Sequence, residues 1–169
     1  MRAWQIRTLG DTPVLVDLAD PDPVPGEVVV RVHAAGLNFA DLLAQAGKYQ
    51  VRTPPPYVPG MEFAGVIERL GPGTAGPPPG TRVLGTCTAG ALAERVSLSA
   101  SRVTPLPDAI TSEEAAGFPI AYGTSHLALT HKARLQPGET LFVTGAAGGV
   151  GLTAVEIGKR LGARVIASA

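Results

Sequence analysis

The chain has 169 residues, enough for one well-packed domain or for one domain and part of a second. Apolar residues make up 45% of it and charged residues 17%, which excludes a disordered chain. The formal net charge of zero gives no bulk electrostatic reason to bind nucleic acid or an anionic membrane.

The opening "MRAWQIRTLG" lacks the apolar stretch of a signal peptide, and no run approaches the ~20 apolar residues of a membrane span. A soluble cytoplasmic protein is the expectation. Gly and Pro number 21 and 16 and fall in short clusters between apolar runs, a sign of many turns and short strands. Short strands are predicted at Trp4 to Ile6 and Val14 to Asp17, then a proline-rich turn "PDPVPG". In "EVVVRVHAAGL" the period of two puts Val28, Val30 and Val32 on one face and Val29, Arg31 and His33 on the other. "NFADLLAQAG" reads as a short helix with Asn38 near its N-cap, and the prolines of "KYQVRTPPPYVPG" make that segment a loop. Further strands are predicted in "MEFAGVIERLG", "TRVLGTC" and "ALAERVSLS", and "SRVTPLPDAI" is extended. Residues 1 to about 110 thus read as a barrel-like antiparallel domain.

The pattern then changes. "TSEEAAGF" starts like a capping box, with Thr111 as N-cap and Glu114 three residues on. A second helix is predicted in "YGTSHLALTHKA", and "TLFVTG" is a continuous apolar run that suits a buried parallel strand. "GGVGLTAVEIGKRLG" places Val150, Ala154, Ile157 and Leu161 at helical spacing, with Gly162 as the C-terminal stop, and "ARVIASA" is a second strand. Residues 140 to 168 form a βαβ unit of about the ~30 residues such a unit needs.

The turn inside that unit carries chemistry. Ala146, Gly148 and Gly151 occupy the three positions of the G-x-G-x-x-G fingerprint, between a strand and a helix. The second position lets backbone approach a pyrophosphate, and the third lets helix and strand pack closely. Free N–H groups and the positive helix end then face the phosphates. The residue that distinguishes a ribose 2′-hydroxyl from a 2′-phosphate stands about 20 positions on. Counting from Gly148 reaches Ser168, at the end of the sequence.

Four stretches together resemble the zinc-free quinone oxidoreductase branch of the medium-chain dehydrogenase/reductase superfamily. They are "AAGLNFADLLAQAGKY", "VPGMEFAGVI", "LPDAITSEEAAGFPIAYGTSHLAL" and "LQPGETLFVTGAAGGVG". The resemblance spans all 169 residues but only the N-terminal half or so of a typical member. It implies a β-rich GroES-like barrel domain at 1–121, then the start of an α/β Rossmann domain at 122–169, left incomplete by the sequence. Zinc-containing relatives place cysteine where this chain has Asn38 and histidine where it has Met61. An amide and a thioether cannot replace thiolate and imidazole on zinc, and with Cys87 the single cysteine the four-cysteine structural lobe is missing too. No metal site is expected.

The resemblance implies NADPH as cofactor, with NADH also possible, and a small-molecule acceptor such as a quinone or activated alkene. Asn38 and Asp41 would border nicotinamide and acceptor, with Tyr49 at the mouth of that pocket, in a cleft between the two domains. Asn38 and Thr124 would touch the nicotinamide end, and Ala147, Gly148, Gly149, Val150 and Gly151 would hold the pyrophosphate. Gln45 stands where many members have arginine. A homodimer is expected of the full-length protein. Two other readings stand beside this one. One is an enoyl- or acryloyl-thioester reductase of the same superfamily, with Tyr49 as proton donor; the other is a truncated, non-catalytic chain.

Plain structural roles also fit several of these residues. Asn38 is a good N-cap, Asp41 favours a helix dipole, Tyr49 suits a partly buried loop aromatic, and Thr124 can cap the helix that follows it. Cys87 reads as a small buried residue. His126 and His131 are five apart, not the four of a helical metal pair, and His33 points outward from its strand.

Overall fold

The computed structural model describes residues 1–169, and the chain divides into two compact units, Met1–Gly117 and Phe118–Ala169. The boundary lies four residues ahead of the expected 121/122 break, because the helix that opens the second unit starts at Pro119. Proline suits that position: the first helical residue has no intrahelical use for an N–H.

In the first unit, β1 (Arg2–Gln5) pairs antiparallel with β2 (Val14–Asp17). A second sheet holds β3 (Glu27–Gly36), β4 (Glu62–Leu70), β5 (Arg82–Thr86), β6 (Arg95–Ser99) and β7 (Val103–Pro105). Its order is β6-β3-β4-β5-β7, antiparallel throughout. The predicted barrel is therefore a pair of open sheets. The edge strands β6 and β7 are five and three residues long and do not pair with each other. The β1–β2 pair is tied on by the Ala3–Ala93 bridge and by the Trp4 N–H donating to Leu92 O at 2.9 Å.

The core of this unit is Val28, Val30, Phe63, Ile67, Val83, Val96, Leu98 and Val103. Each large side chain buried there stabilises the fold by about 1.5–3 kcal/mol relative to exposure. Strand β3 departs from strict alternation: Val29 is buried beside Val28 and Val30. The register explains part of this. Val29 faces Arg69 and Val30 faces Ile67, so Glu68 is an extra residue in β4, a bulge. Glu68 there accepts from Arg95 Nε at 2.7 Å and pairs with Arg31 at 3.2 Å.

Two short helices complete the unit. α1 (Phe39–Gln45) follows Asn38, and α2 (Ser112–Ala116) opens on the predicted capping box. Thr111 Oγ1 accepts the Glu114 N–H at 3.2 Å, and the Glu114 carboxylate accepts the Thr111 N–H at 3.0 Å. Ala115 and Ala116 pack on Ala64 and Leu106, a second, smaller cluster.

In the second unit, α3 (Pro119–His126) runs into a wider π turn at Leu127–Lys132. There Thr130 Oγ1 donates to His126 O at 2.6 Å and the Ala133 N–H reaches back five residues to Ala128 O. A side-chain hydroxyl bonded to the carbonyl four residues back loosens the α pattern at that point. β8 (Thr140–Thr144), α4 (Gly149–Arg160) and β9 (Arg164–Ser168) form the expected parallel βαβ, in register from Thr140–Arg164 to Thr144–Ser168. The expected stripe on α4 is only partly buried, and Val150 is 45% exposed. The fully buried residues are Thr153 and Gly158. A Cβ on Gly158 would lie 2.6 Å from Leu141, so this glycine sets the approach of helix to sheet. No helix is long and apolar enough to cross a membrane.

Candidate active site

The first unit gathers its polar buried groups around the start of α1. Asn38 has extended backbone, as an N-cap requires, and its N–H donates to Asp41 Oδ2 at 2.9 Å. Its side chain points elsewhere: Asn38 Nδ2 donates to Glu62 Oε1 at 2.7 Å. Glu62 is 2% exposed at the start of β4. Space for it exists because position 36 is glycine; a Cβ there would strike the Glu62 carboxylate and Ala116 O. One residue thus joins helix start and strand start, and the cap role of Asn38 coexists with a fixed carboxamide.

Asp41 is more than a dipole partner. It is 8% exposed, Oδ1 has no hydrogen-bond partner, and burial raises its carboxyl above the usual range while the backbone of Asn38 and Gly60 pulls it back. Tyr57 stands nearby, its hydroxyl also buried and unpartnered. Burial and the Asp41 charge push that phenol up. Tyr49 lines a neighbouring shallow crevice with Leu9, Gly47 and Arg52, which shares Ala44, Val51 and Thr53 with the one at Asp41. It makes no hydrogen bond to Asn38 or Asp41. Gln45 faces away from this cluster: its Nε2 donates to Asp11 O at 2.7 Å and secures the loop before β2. Cys87 is partly buried, donates to Gly60 O at 3.4 Å, and has its thiol pushed up to about 11 by burial. It is a packing residue, protonated near neutrality.

The second unit holds the glycine turn. β8 ends at Thr144, and α4 begins at Gly149 with Gly148 as its extended N-cap. The turn is anchored by the Ala146 N–H donating to Ser168 O at 2.9 Å and the Gly148 N–H donating to Gly145 O at 3.1 Å. Gly151 fills the close-packing position: a Cβ there would collide with Gly145 O and lie 2.9 Å from Ala146 Cα. A Cβ at Gly148 would meet Gly145 O at 3.4 Å, and at Gly149 nothing stands within 4 Å. Ala147, Gly148, Gly149 and Val150 are all exposed. The first-turn N–H groups of a twelve-residue helix therefore face solvent with a clear approach, the donor set a pyrophosphate requires. The turn fits a dinucleotide on its geometry.

Behind the turn lies a pair that the sequence reading missed. Ser125 Oγ donates to Val150 O at 2.8 Å and bonds Thr153 Oγ1 at 2.8 Å. Thr153 Oγ1 also reaches Ala121 O at 3.1 Å. Two small hydroxyls inside helices thus lock α3 to the first turn of α4. The one available signal was small polar residues at positions where each helix is otherwise apolar. Thr124, by contrast, lies inside α3 rather than at a cap, and it is exposed. Glu62 and Tyr57 were missed as well. A charge opening the apolar run "EFAGVI" and a lone aromatic in "PPPYVPG" were their traces.

An open antiparallel β unit followed by a βαβ with this turn is the architecture of the medium-chain dehydrogenase/reductase superfamily. Residues 24–108 match the alcohol dehydrogenase GroES-like domain, and the chain belongs to that family. It is 40% identical over 158 residues to quinone oxidoreductase-like protein 2 of Mus musculus, covering 92% of this chain and 45% of that protein. It is 35% identical to the quinone oxidoreductase of Rattus norvegicus, covering 100% of this chain and 53% of the relative. Among solved structures, the quinone oxidoreductase of Thermus thermophilus, described also in complex with NADPH, superposes with a TM-score of 0.88 at 42% identity. That match covers 99% of this chain and 52% of the other. The chain spans about half the length of the curated relatives it matches.

Proposed function

We propose that the intact protein is an NADPH-dependent quinone reductase that works without zinc. The observation that carries this reading is the glycine turn, where Gly151 is pressed against Gly145 and the N–H groups at the start of α4 stay open to solvent. The similar Thermus thermophilus protein, crystallised with NADPH, supports the choice of cofactor. NADH is the weaker alternative.

Gly148, Gly149, Val150 and Gly151 would hold the pyrophosphate, with Ala147 at its edge. When bound, the cofactor supplies a hydride, which a quinone accepts without Lewis-acid help. Asn38 presents a carboxamide fixed by Glu62 at 2.7 Å, and Met61 beside it is a buried thioether. This donor set orients and packs; it does not suit a zinc ion. Asp41 holds the backbone of Asn38 in place, and Tyr49 lines the adjacent crevice as a contact for the acceptor. A quinone that has accepted the hydride needs one proton to become the hydroquinone, and water can supply it, so no dedicated acid is needed on the chain.

The test is a steady-state assay of the intact protein with NADPH and a panel of 1,2- and 1,4-quinones, alongside crotonyl and acryloyl thioesters. Turnover with quinones is expected. Oxidation of NADPH by thioesters alone would replace the reading with an enoyl-reductase one, and no oxidation with any acceptor would sink both.

A further inference from the structure

Asp41 and Tyr57 bring two buried, unpartnered polar atoms to one small crevice within the first unit. Each residue is 8% exposed, and Asp41 Oδ1 and Tyr57 Oη are without a hydrogen-bond partner. Both residues line the same crevice, together with Thr53, Gly60, Met61 and Thr88. Leaving such atoms unsatisfied carries their full desolvation penalty, and native proteins rarely tolerate it. The crevice offers a water's centre ≈ 10 Å³, about what one molecule needs. Its walls are polar enough to give that molecule several partners.

We propose that this crevice binds a single ordered water that bridges Tyr57 Oη to Asp41 Oδ1, and that Tyr57 is thereby a positioning residue for Asn38. The chain of contacts is short. Tyr57 donates to the water, the water donates to Asp41 Oδ1, and Asp41 Oδ2 accepts the Asn38 N–H at 2.9 Å. Asn38 Nδ2 then donates to Glu62 at 2.7 Å. Tyr57 itself is held by backbone: its N–H and carbonyl pair with Ile6 at 3.1 and 2.8 Å. The irregular loop 48–60 is already tied to α1 by the Lys48 N–H donating to Leu43 O at 2.8 Å, and the water adds a tie from Tyr57. The titratable groups facing Asp41 are Tyr57 from the loop and Cys87 after β5, with Glu62 from β4 reached through Asn38. The backbone of Asn38 and of Gly60 favours the Asp41 carboxylate, and a water-borne donor adds to them. The weight of this brace in catalysis rests on the reading of Asn38 as a site residue.

Two measurements decide it without any enzymatic activity. A crystal structure better than roughly 1.2 Å should show water density at hydrogen-bond distance from both oxygens, about 2.7–2.8 Å. A dry crevice, or a direct Oη–Oδ1 bond, overturns the proposal. The second is a carboxyl ¹³C titration of Asp41 in the wild type and in Tyr57→Phe. Loss of the donor should move the Asp41 midpoint up by about one pH unit. An unchanged midpoint in a folded variant overturns it. If Tyr57→Phe does not fold, 3-fluorotyrosine at position 57, a stronger donor, should move the midpoint down instead, and no movement has the same consequence. A protein that reduces no quinone yet shows the water and the shift would remove the functional reading and leave the brace standing.

Discussion

The two units solve the burial problem to different degrees. In Met1–Gly117, Val28, Val30, Phe63 and Val83 are fully buried within one five-stranded sheet, and α2 covers a second cluster. In Phe118–Ala169 the buried apolar set is Leu129, Val143 and Ala146, while Phe142 and Leu152 are each 61% exposed. The reason is architectural. An antiparallel sheet can pack one face and wet the other, but a parallel βαβ needs layers on both faces. The two-stranded β8–β9 sheet has α4 on it and bare apolar residues elsewhere. The polar groups follow the same division: the first unit holds packed, preformed contacts around Asn38, and the second presents backbone donors on a turn.

The largest test of that contrast is in the cores. Phe63→Ala should cost about 3–5 kcal/mol, read by denaturant unfolding through the single tryptophan, Trp4. Leu129→Ala in the second unit should cost nearer 2 kcal/mol, the low end for leucine. Equal losses would erase the difference. Gly151→Val comes next. The added side chain cannot avoid Gly145 O, so a loss of about 1–3 kcal/mol is expected together with a drop of more than tenfold in NADPH affinity by calorimetry. Unchanged affinity would remove the turn from the site.

A pH series sharpens the comparison inside the first unit. Burial raises the Asp41 carboxyl above its ordinary 3.8, so the folded state holds a proton there that the unfolded chain has released. Stability from this group is therefore full at low pH and is lost as pH rises from that value through the raised folded one. Asp41→Asn removes the effect. Denaturation of both proteins between pH 4 and 7 should show the variant gaining on the wild type as pH rises. The smallest expected effect is Thr111→Ala, which takes one acceptor from the α2 capping box and should cost about 1 kcal/mol by thermal unfolding.

Local rules made much of this legible. The N-cap at Asn38, the capping box at Thr111 and Glu114, the proline-rich loop and the βαβ with its glycine turn all depend on residues a few positions apart, which a single chain displays directly. The stop of α4 is of the same kind: Gly162 has a positive φ of 81°, and the Ala163 N–H closes back to Gly158 O at 3.0 Å. Membership of the superfamily was legible for a related reason, since close backbone approach and turn chemistry demand particular residues at fixed spacing.

What the sequence could not display were pairings across long separations. Glu62 lies 24 residues from Asn38, and Tyr57, whose backbone pairs with Ile6, lines one crevice with Asp41. Ser125 and Thr153, 28 apart, looked like ordinary helix residues until two helices crossed there. The open edge of the sheet and the bulge at Glu68 belong to the same group, because register is set by packing of whole strands rather than by alternation within one. The sequence alone displayed most of the strands, helix caps and turns, and the place of the glycine turn inside the βαβ. Only the tertiary structure decided which buried polar groups face one another, because the cost of burying them is settled by partners that the chain brings in from far away.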